Sequence, residues 1–179
     1  MLQILSPIQD TVTPDATLAP RLSTLCGKTV GLYSNKKLNA DKLLAMVAQN
    51  LAELGAFSVH HGTYPPERMN TPEEWGDVAA CDVVILANGD CGACSSSGLA
   101  NAIELEKRGI PAFLISTPPF AEALTTMARM RGIPQMGWGI VEHPIGSAQE
   151  PELRARARAA ADQFAQMMLE HSQPAAGRA

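Results

Sequence analysis

Apolar residues come in short bursts along this chain, and the spacing within the bursts alternates between two kinds. Lys28 to Tyr33 reads as a short buried strand that runs into a polar turn, Ser34-Asn35-Lys36-Lys37. Leu43, Leu44, Val47, Leu51 and Leu54 then recur at helical spacing behind Asn39, a capping residue, with Gly55 as the stop. Phe57 to His61 predicts a second strand. After Pro65 and Pro66, Thr71-Pro72-Glu73-Glu74 has the form of a capping box for a short helix ending before Cys81. Asp82 to Ala87 is the clearest strand, and its near-continuous apolar run suits a parallel strand covered on both faces. Leu99 to Arg108 predicts a helix stopped by Gly109, with Lys107 and Arg108 favouring its dipole. Pro111 to Ser116 (strand), Ala121 to Arg131 (helix, stopped by Gly132), Gly139 to Glu142 (strand) and Ser147 to about His171 (helix) complete the series.

Strand and helix thus alternate five times over short connections. The pattern predicts a single α/β domain, Rossmann-like or flavodoxin-like, with about five parallel strands, helices on both faces and right-handed crossovers. The expected limits are an extended lead-in over residues 1–27 that holds Pro7, Pro14 and Pro20, a domain over 28–172, and a frayed tail over 173–179. In such sheets ligands bind beyond the carboxyl ends of the strands, near the point where strand order reverses. That rule gathers Ser34-Asn35, the His60-His61 end, Asn88 to Ser97, Thr117-Pro118 and His143-Pro144 onto one rim.

Composition narrows the class. The 179 residues fit one domain, and 46% hydrophobic against 18% charged residues is an ordinary globular balance. A net charge of -4 from 14 basic and 18 acidic residues leaves no basic stripe, so nucleic acid is not an expected partner. The longest apolar run, Val83 to Ala87, is far short of a membrane span, and Met1 to Ile8 has no signal-peptide pattern. The expected location is the cytoplasm. There, four cysteines (Cys26, Cys81, Cys91, Cys94) point to reactive or metal-binding chemistry rather than a disulfide scaffold.

The chemistry concentrates in Asn88-Gly-Asp-Cys91-Gly-Ala-Cys94-Ser-Ser-Ser97, which follows a buried strand and opens a helix. Unpaired N–H groups and the partial positive charge of a helix N-terminus stabilise a thiolate. Gly89 and Gly92 allow a sharp turn and close approach to a ligand. Two residues between Cys91 and Cys94 let one sulfur attack and the other resolve. Ser95, Ser96 and Ser97 offer hydroxyls that cap the helix or bind an anion, whereas Asp90 opposes thiolate formation unless it faces elsewhere. A structural zinc takes four ligands, and there is no second CxxC and no HxxxH, so no metal site is assigned. Cys26 and Cys81 read as plain buried thiols. His143, just past the last strand, suits a general acid/base, or is only a turn histidine before Pro144. Asn35 and Thr117 end strands and either orient a carboxylate or carbonyl of the substrate or cap their strands. Pro118-Pro119-Phe120 offers an apolar wall, His60 and His61 face solvent, and Arg154, Arg156 and Arg158 form a solvated helix face. The Met-rich end of the last helix packs on the sheet or on a second subunit. Neither GxGxxG after the first strand nor a P-loop is present.

The chain resembles the UGSC (CGSC) family, small proteins named for a selenocysteine- or cysteine-Gly-Ser-Cys motif. The likeness rests on Leu18-Ala-Pro-Arg21 leading to Gly27-Lys-Thr-Val-Gly-Leu32, on Gly89-Asp-Cys91-Gly-Ala-Cys94, on Glu104-Leu-Glu-Lys-Arg-Gly-Ile-Pro111, and on His143-Pro144. It implies a Rossmann-like domain with Cys91 at the selenocysteine position, hence nucleophilic or redox chemistry. Ala93 stands where the motif has serine. More distantly, the order strand, Cys, Ser-rich turn, helix, Ile-Pro, strand is similar to the aspartate/glutamate racemase superfamily. That superfamily uses two cysteines across the substrate carbon, and Glu142-His143-Pro144 occupies the place of the second.

The leading expectation is a cysteine-dependent enzyme for a small organic substrate, with Cys91 attacking, Cys94 resolving and His143 moving a proton. Asn35, Asp90, Ser95, Ser96 and Thr117 are the expected substrate contacts. No cofactor is required, and an external thiol restores the electrons. One alternative is a non-redox cysteine lyase, isomerase or transferase; the other is a non-catalytic subunit or anion-binding protein.

Overall fold

Alternate residues of the strands face opposite ways, and each set finds its own apolar layer. Val83, Ile85 and Ala87 pack with Val30, Leu32, Phe113 and Ile115 on one face, while Val84, Leu86, Ala112 and Leu114 pack on the other. The computed structural model describes residues 17–170. Its elements are β1 Thr29–Ser34, α1 Ala40–Leu51, β2 Ser58–Thr63, a 3-10 helix Glu73–Ala80, β3 Val83–Gly89, α2 Gly92–Lys107, β4 Ala112–Ser116, α3 Ala121–Met130, β5 Gly139–Ile140 and α4 Glu150–Met168.

All five strands are parallel, in the order β2-β1-β3-β4-β5. Helices α1 and α4 cover the first face, through Leu43, Val47, Leu51, Leu153, Ala157 and Phe164. Helices α2 and α3 cover the second, through Leu99, Ile103, Leu124 and Ala128. The expected α/β class, strand number and two-sided helix cover are therefore present. The order reverses between β1 and β3, which opens a crevice at their carboxyl ends. Among the described residues no helix is long and apolar enough to cross a membrane.

Several boundaries differ from expectation, each for a local reason. Helix α2 begins at Gly92, not Leu99, because the Cys-Ser-Ser-Ser segment completes its first turns; there is no separate cysteine loop. Strands β2 and β3 run on to Thr63 and Gly89, so His60 and His61 lie mid-strand rather than on the rim. His61 is exposed and His60 half-buried against the Tyr33 ring, on the edge strand. Asn39 precedes α1 at φ 63° without a side-chain cap; its Nδ2 donates instead to the carbonyl oxygens of Ile145, Gly146 and Ala148. Of the capping box at Thr71, one half forms: the Glu74 carboxylate accepts the Thr71 N–H at 2.8 Å. Helix α4 starts at Glu150, where Glu152 accepts the Gln149 N–H at 2.7 Å and Pro151 enters the first turn. The helix ends at Met168, with Leu169 already extended, short of the expected His171; the tail, Pro7 and Pro14 lie outside the described residues.

Arg156 and Cys26 are corrections as well. Arg156 is buried and donates from Nε to the Glu142 carbonyl at 2.8 Å; only Arg154 and Arg158 lie on a solvated face. Cys26 is exposed, because it sits in the turn before β1 rather than beneath it, while Cys81 is buried as expected. At the Met-rich end of α4, Met168 packs in the core and Met167 is exposed.

The described part of the lead-in is pinned at two places. Leu22 bridges in parallel to Leu169. Arg21 donates to both oxygens of Glu106, at 2.8 and 3.2 Å, and the same carboxylate accepts the N–H groups of Ala19 and Ala112 at 2.7 and 2.9 Å. The Glu106 side chain is fully buried, so its charge is carried by this one set of donors. Removing the carboxylate orphans Arg21 and two amides at once. Glu106→Ala is expected to lower the unfolding free energy in urea by about 3–5 kcal/mol; a loss below about 1 kcal/mol contradicts this account of the anchor.

Candidate active site

The crevice between β1 and β3 is closed at its base by paired amides. Asn35 donates from Nδ2 to the Asn88 carbonyl at 2.8 Å, and its Oδ1 accepts the Lys37 N–H at 3.2 Å. Both ends of the Asn35 amide are thus spent on bracing the turn after β1. Asn88 in turn donates from Nδ2 to the Leu38 carbonyl at 3.0 Å. These bonds set the β1 turn against the carboxyl end of β3, and the chain then passes through Asp90 and Cys91 into α2.

Hydroxyls hold that passage from below. Ser116 and Thr117 both donate to the Gly89 carbonyl, at 3.0 and 3.2 Å, and the Ser95 hydroxyl lies 3.2 Å from that of Ser116. A side chain at Gly89 would stand 2.6 Å from the Ser116 oxygen and 3.0 Å from that of Ser95, so close packing explains this glycine. Gly92 meets no such limit: nothing lies within 4 Å of where its Cβ would be. Ser95 and Thr117 are fully buried beneath the turn and Ser96 is half-buried on α2, so Ser95 and Thr117 act as supports where substrate contact was expected.

Cys91 occupies the N-cap of α2 in an extended conformation (φ -150°, ψ 166°), and its Sγ accepts the Cys94 N–H at 3.2 Å. This is the capping bond normally supplied by Ser or Asp, here made to sulfur. The sulfur faces a cleft of about 290 Å³ lined by Lys37, Leu38, Asn88, Asp90, Cys91, Cys94 and Gly146. A larger hollow of about 600 Å³, between the first turns of α1 and α4, shares Gly146 but has no cysteine in its lining. Cys91 is partly exposed and Cys94 buried, both as free thiols. Burial first, then the hydrogen bond to Cys91 and the charge of that neighbour, push the Cys94 thiol up to about 12. Cys94 therefore holds its proton well into the alkaline range.

Asp90 lines the same cleft as Cys91, and its carboxylate is bonded to the 143–146 segment. Its two oxygens accept the N–H groups of Ile145 and Gly146, each at 2.8 Å, and Oδ1 lies 3.0 Å from His143 Nδ1. His143 Nδ1 is also 3.2 Å from the Thr117 hydroxyl, whose proton is given to Gly89. Both neighbours accept, so in the neutral ring the proton sits on Nδ1 and Nε2 is the free base. The ring packs edge-on against Phe120 at 6.1 Å, whereas Pro118, Pro119 and Phe120 are not in the lining of the cysteine cleft, where an apolar wall was expected. His143 does not line the cysteine cleft; Asp90 is the link between them.

Lys37, Leu38 and Gly146 escaped the sequence reading. The rim rule stopped at Asn35, two residues short of Lys37, which ends the polar turn after the first strand. Gly146 reaches the cleft because Asp90 and Asn39 both bind its segment, long-range contacts without a local pattern. Among the described residues no group of three His, Cys, Asp or Glu side chains is placed to hold a metal ion.

A parallel sheet of order 2-1-3-4-5 with a cysteine capping the helix at its switch point defines the class. The chain belongs to the UGSC family, whose model matches residues 3–170. No curated protein and no solved structure matches it. The likeness to the racemase superfamily stays an expectation from element order.

The buried thiols set an alkaline limit on stability. Burial, then the charge of Asp82, raises Cys81 from an ordinary 9.0 to about 11, and Cys94 rises from 9.0 to about 12. Raised values mean that the folded state holds these protons more tightly, so the stabilisation is complete below pH 9 and is lost as pH climbs to about 12. Urea unfolding at stepped pH is expected to show a flat region and then this decline, shallower in a Cys81→Ala/Cys94→Ala variant. Tyr33, raised from 10.0 to about 12 mainly by burial, keeps part of the slope. Stability unchanged up to pH 12 contradicts the burial of these thiols.

Proposed function

We propose that this protein is a cysteine-dependent enzyme acting on a small organic substrate, with Cys91 as the nucleophile and Cys94 as the resolving thiol. The observation that carries the reading is the Cys94 N–H directed at the Cys91 sulfur, at a helix start open to the cleft. A thiolate at that point gains from the amides and dipole of α2. Cys91 attacks a substrate R–X; an S–R bond forms and X leaves with its electron pair. Two of the causes that keep Cys94 protonated come from Cys91 itself, and both vanish once that sulfur is covalently engaged. Cys94 then loses its proton and attacks Cys91, so an S–S bond forms and R leaves with the electrons to be protonated. Each cycle converts R–X and two thiols to R–H, HX and one disulfide, which an external thiol reduces. His143, held by Asp90 and Thr117 outside the cleft lining, exchanges protons with the cleft through water at Nε2.

The reading is tested without knowing the substrate, by using dithionitrobenzoate in a Cys26→Ser background. Cys91 is expected to release one nitrothiolate, and resolution by Cys94 a second, leaving an internal disulfide and no adduct by mass. Cys94→Ser is expected to stop at one equivalent with the adduct retained on Cys91. An adduct that persists while Cys94 is present contradicts the resolving role and favours the non-redox cysteine enzyme. Absence of reaction at Cys91 contradicts both and favours a binding protein.

A further inference from the structure

Three features of the cleft beside Cys91 bear on what it can bind. Lys37 borders the cleft, and among the described residues its ammonium group has no ion pair, whereas Lys36 beside it pairs with Asp41 at 3.0 Å. Asn88 is 1% exposed and lines the cleft; its Nδ2 is bonded to Leu38, but its Oδ1 has no donor among the described residues. A buried acceptor without a partner costs free energy unless a ligand supplies the donor. Finally, Gly92 and Ala93 open α2 with N–H groups that have no intrahelical acceptor, beside the partial positive charge of a 16-residue helix. Asp90 is the carboxylate in this lining, and its oxygens are committed to Ile145, Gly146 and His143. Leu38, 77% exposed, forms an apolar lip.

We infer that the cleft takes a small carboxylate that also carries a hydroxyl or amine, with its electrophilic carbon at Cys91. Lys37 and the first amides of α2 hold the carboxylate, and Asn88 Oδ1 accepts the hydrogen bond from the hydroxyl or amine. The inference rests on Cys91 as the nucleophile and names the substrate class of that site.

Iodoacetate and iodoacetamide test it on the full chain. Both alkylate a thiol with loss of iodide and differ in charge, and the exposed Cys26 is the internal reference. The iodoacetate-to-iodoacetamide rate ratio is expected to be higher at Cys91 than at Cys26 by about fivefold, the scale of one ammonium at contact distance in water. Lys37→Gln is expected to remove the excess and Lys37→Arg to keep it. Lactate is expected to protect Cys91 from iodoacetamide at lower concentration than propionate does. Equal ratios at the two cysteines, or a ratio that Lys37→Gln leaves unchanged, overturn the carboxylate assignment while Cys91 stands as nucleophile. Equal protection by the two acids overturns the role of Asn88. A Cys91 inert to both reagents overturns the nucleophile and the substrate class together.

Discussion

A backbone amide aimed at a sulfur joins fold and chemistry in this chain. The Cys94 N–H would otherwise be one of the orphan donors at the start of α2, and Cys91 satisfies it from the N-cap. The bond forms only if the turn between β3 and α2 holds its shape. That shape depends on Gly89, which fits against Ser116 and Ser95, and on the hydroxyls that clamp the Gly89 carbonyl from below. Asn35 and Asn88 set the opposite wall, so Cys91 faces a crevice whose two sides are fixed by buried hydrogen bonds.

The same logic accounts for sequence features far from the cysteines. Leu18-Ala-Pro-Arg21 and Glu104 to Pro111 lie more than eighty residues apart, and the fully buried Glu106 ties them together through Arg21, Ala19 and Ala112. That carboxylate fastens the lead-in to the carboxyl end of α2 and the amino end of β4, at the end of the strands opposite the chemistry. His143-Pro144 is drawn in by Asp90 from across β3. Four of the segments that carry the family likeness thus serve three duties: two form an anchor, one a helix cap and one a staple.

Much of this was legible in the sequence because it is periodic. Val83 to Ala87 announced a strand buried on both faces, and five strand–helix alternations implied the parallel sheet. The rim rule brought Asn35, Asp90, Cys91, Thr117 and His143 into one neighbourhood. What sequence could not supply was direction. Asn35, Ser95 and Thr117 carry the right groups for substrate contact, yet their bonds run inward to Asn88, Ser116 and Gly89. Asp90 looked like an opponent of the thiolate until its oxygens proved committed to Ile145 and Gly146. The start of α2 was read seven residues late because serines and glycines are weak helix formers, and the cap bond to sulfur outweighs that tendency.

The central claim is that position, rather than exposure, makes Cys91 the reactive thiol. Limiting N-ethylmaleimide at neutral pH, followed by peptide mass spectrometry over time, measures this directly, since Cys26 is the more exposed of the two. The account predicts that Cys91 is modified first, with Cys81 and Cys94 untouched on that timescale. Modification of Cys26 ahead of Cys91 would contradict it.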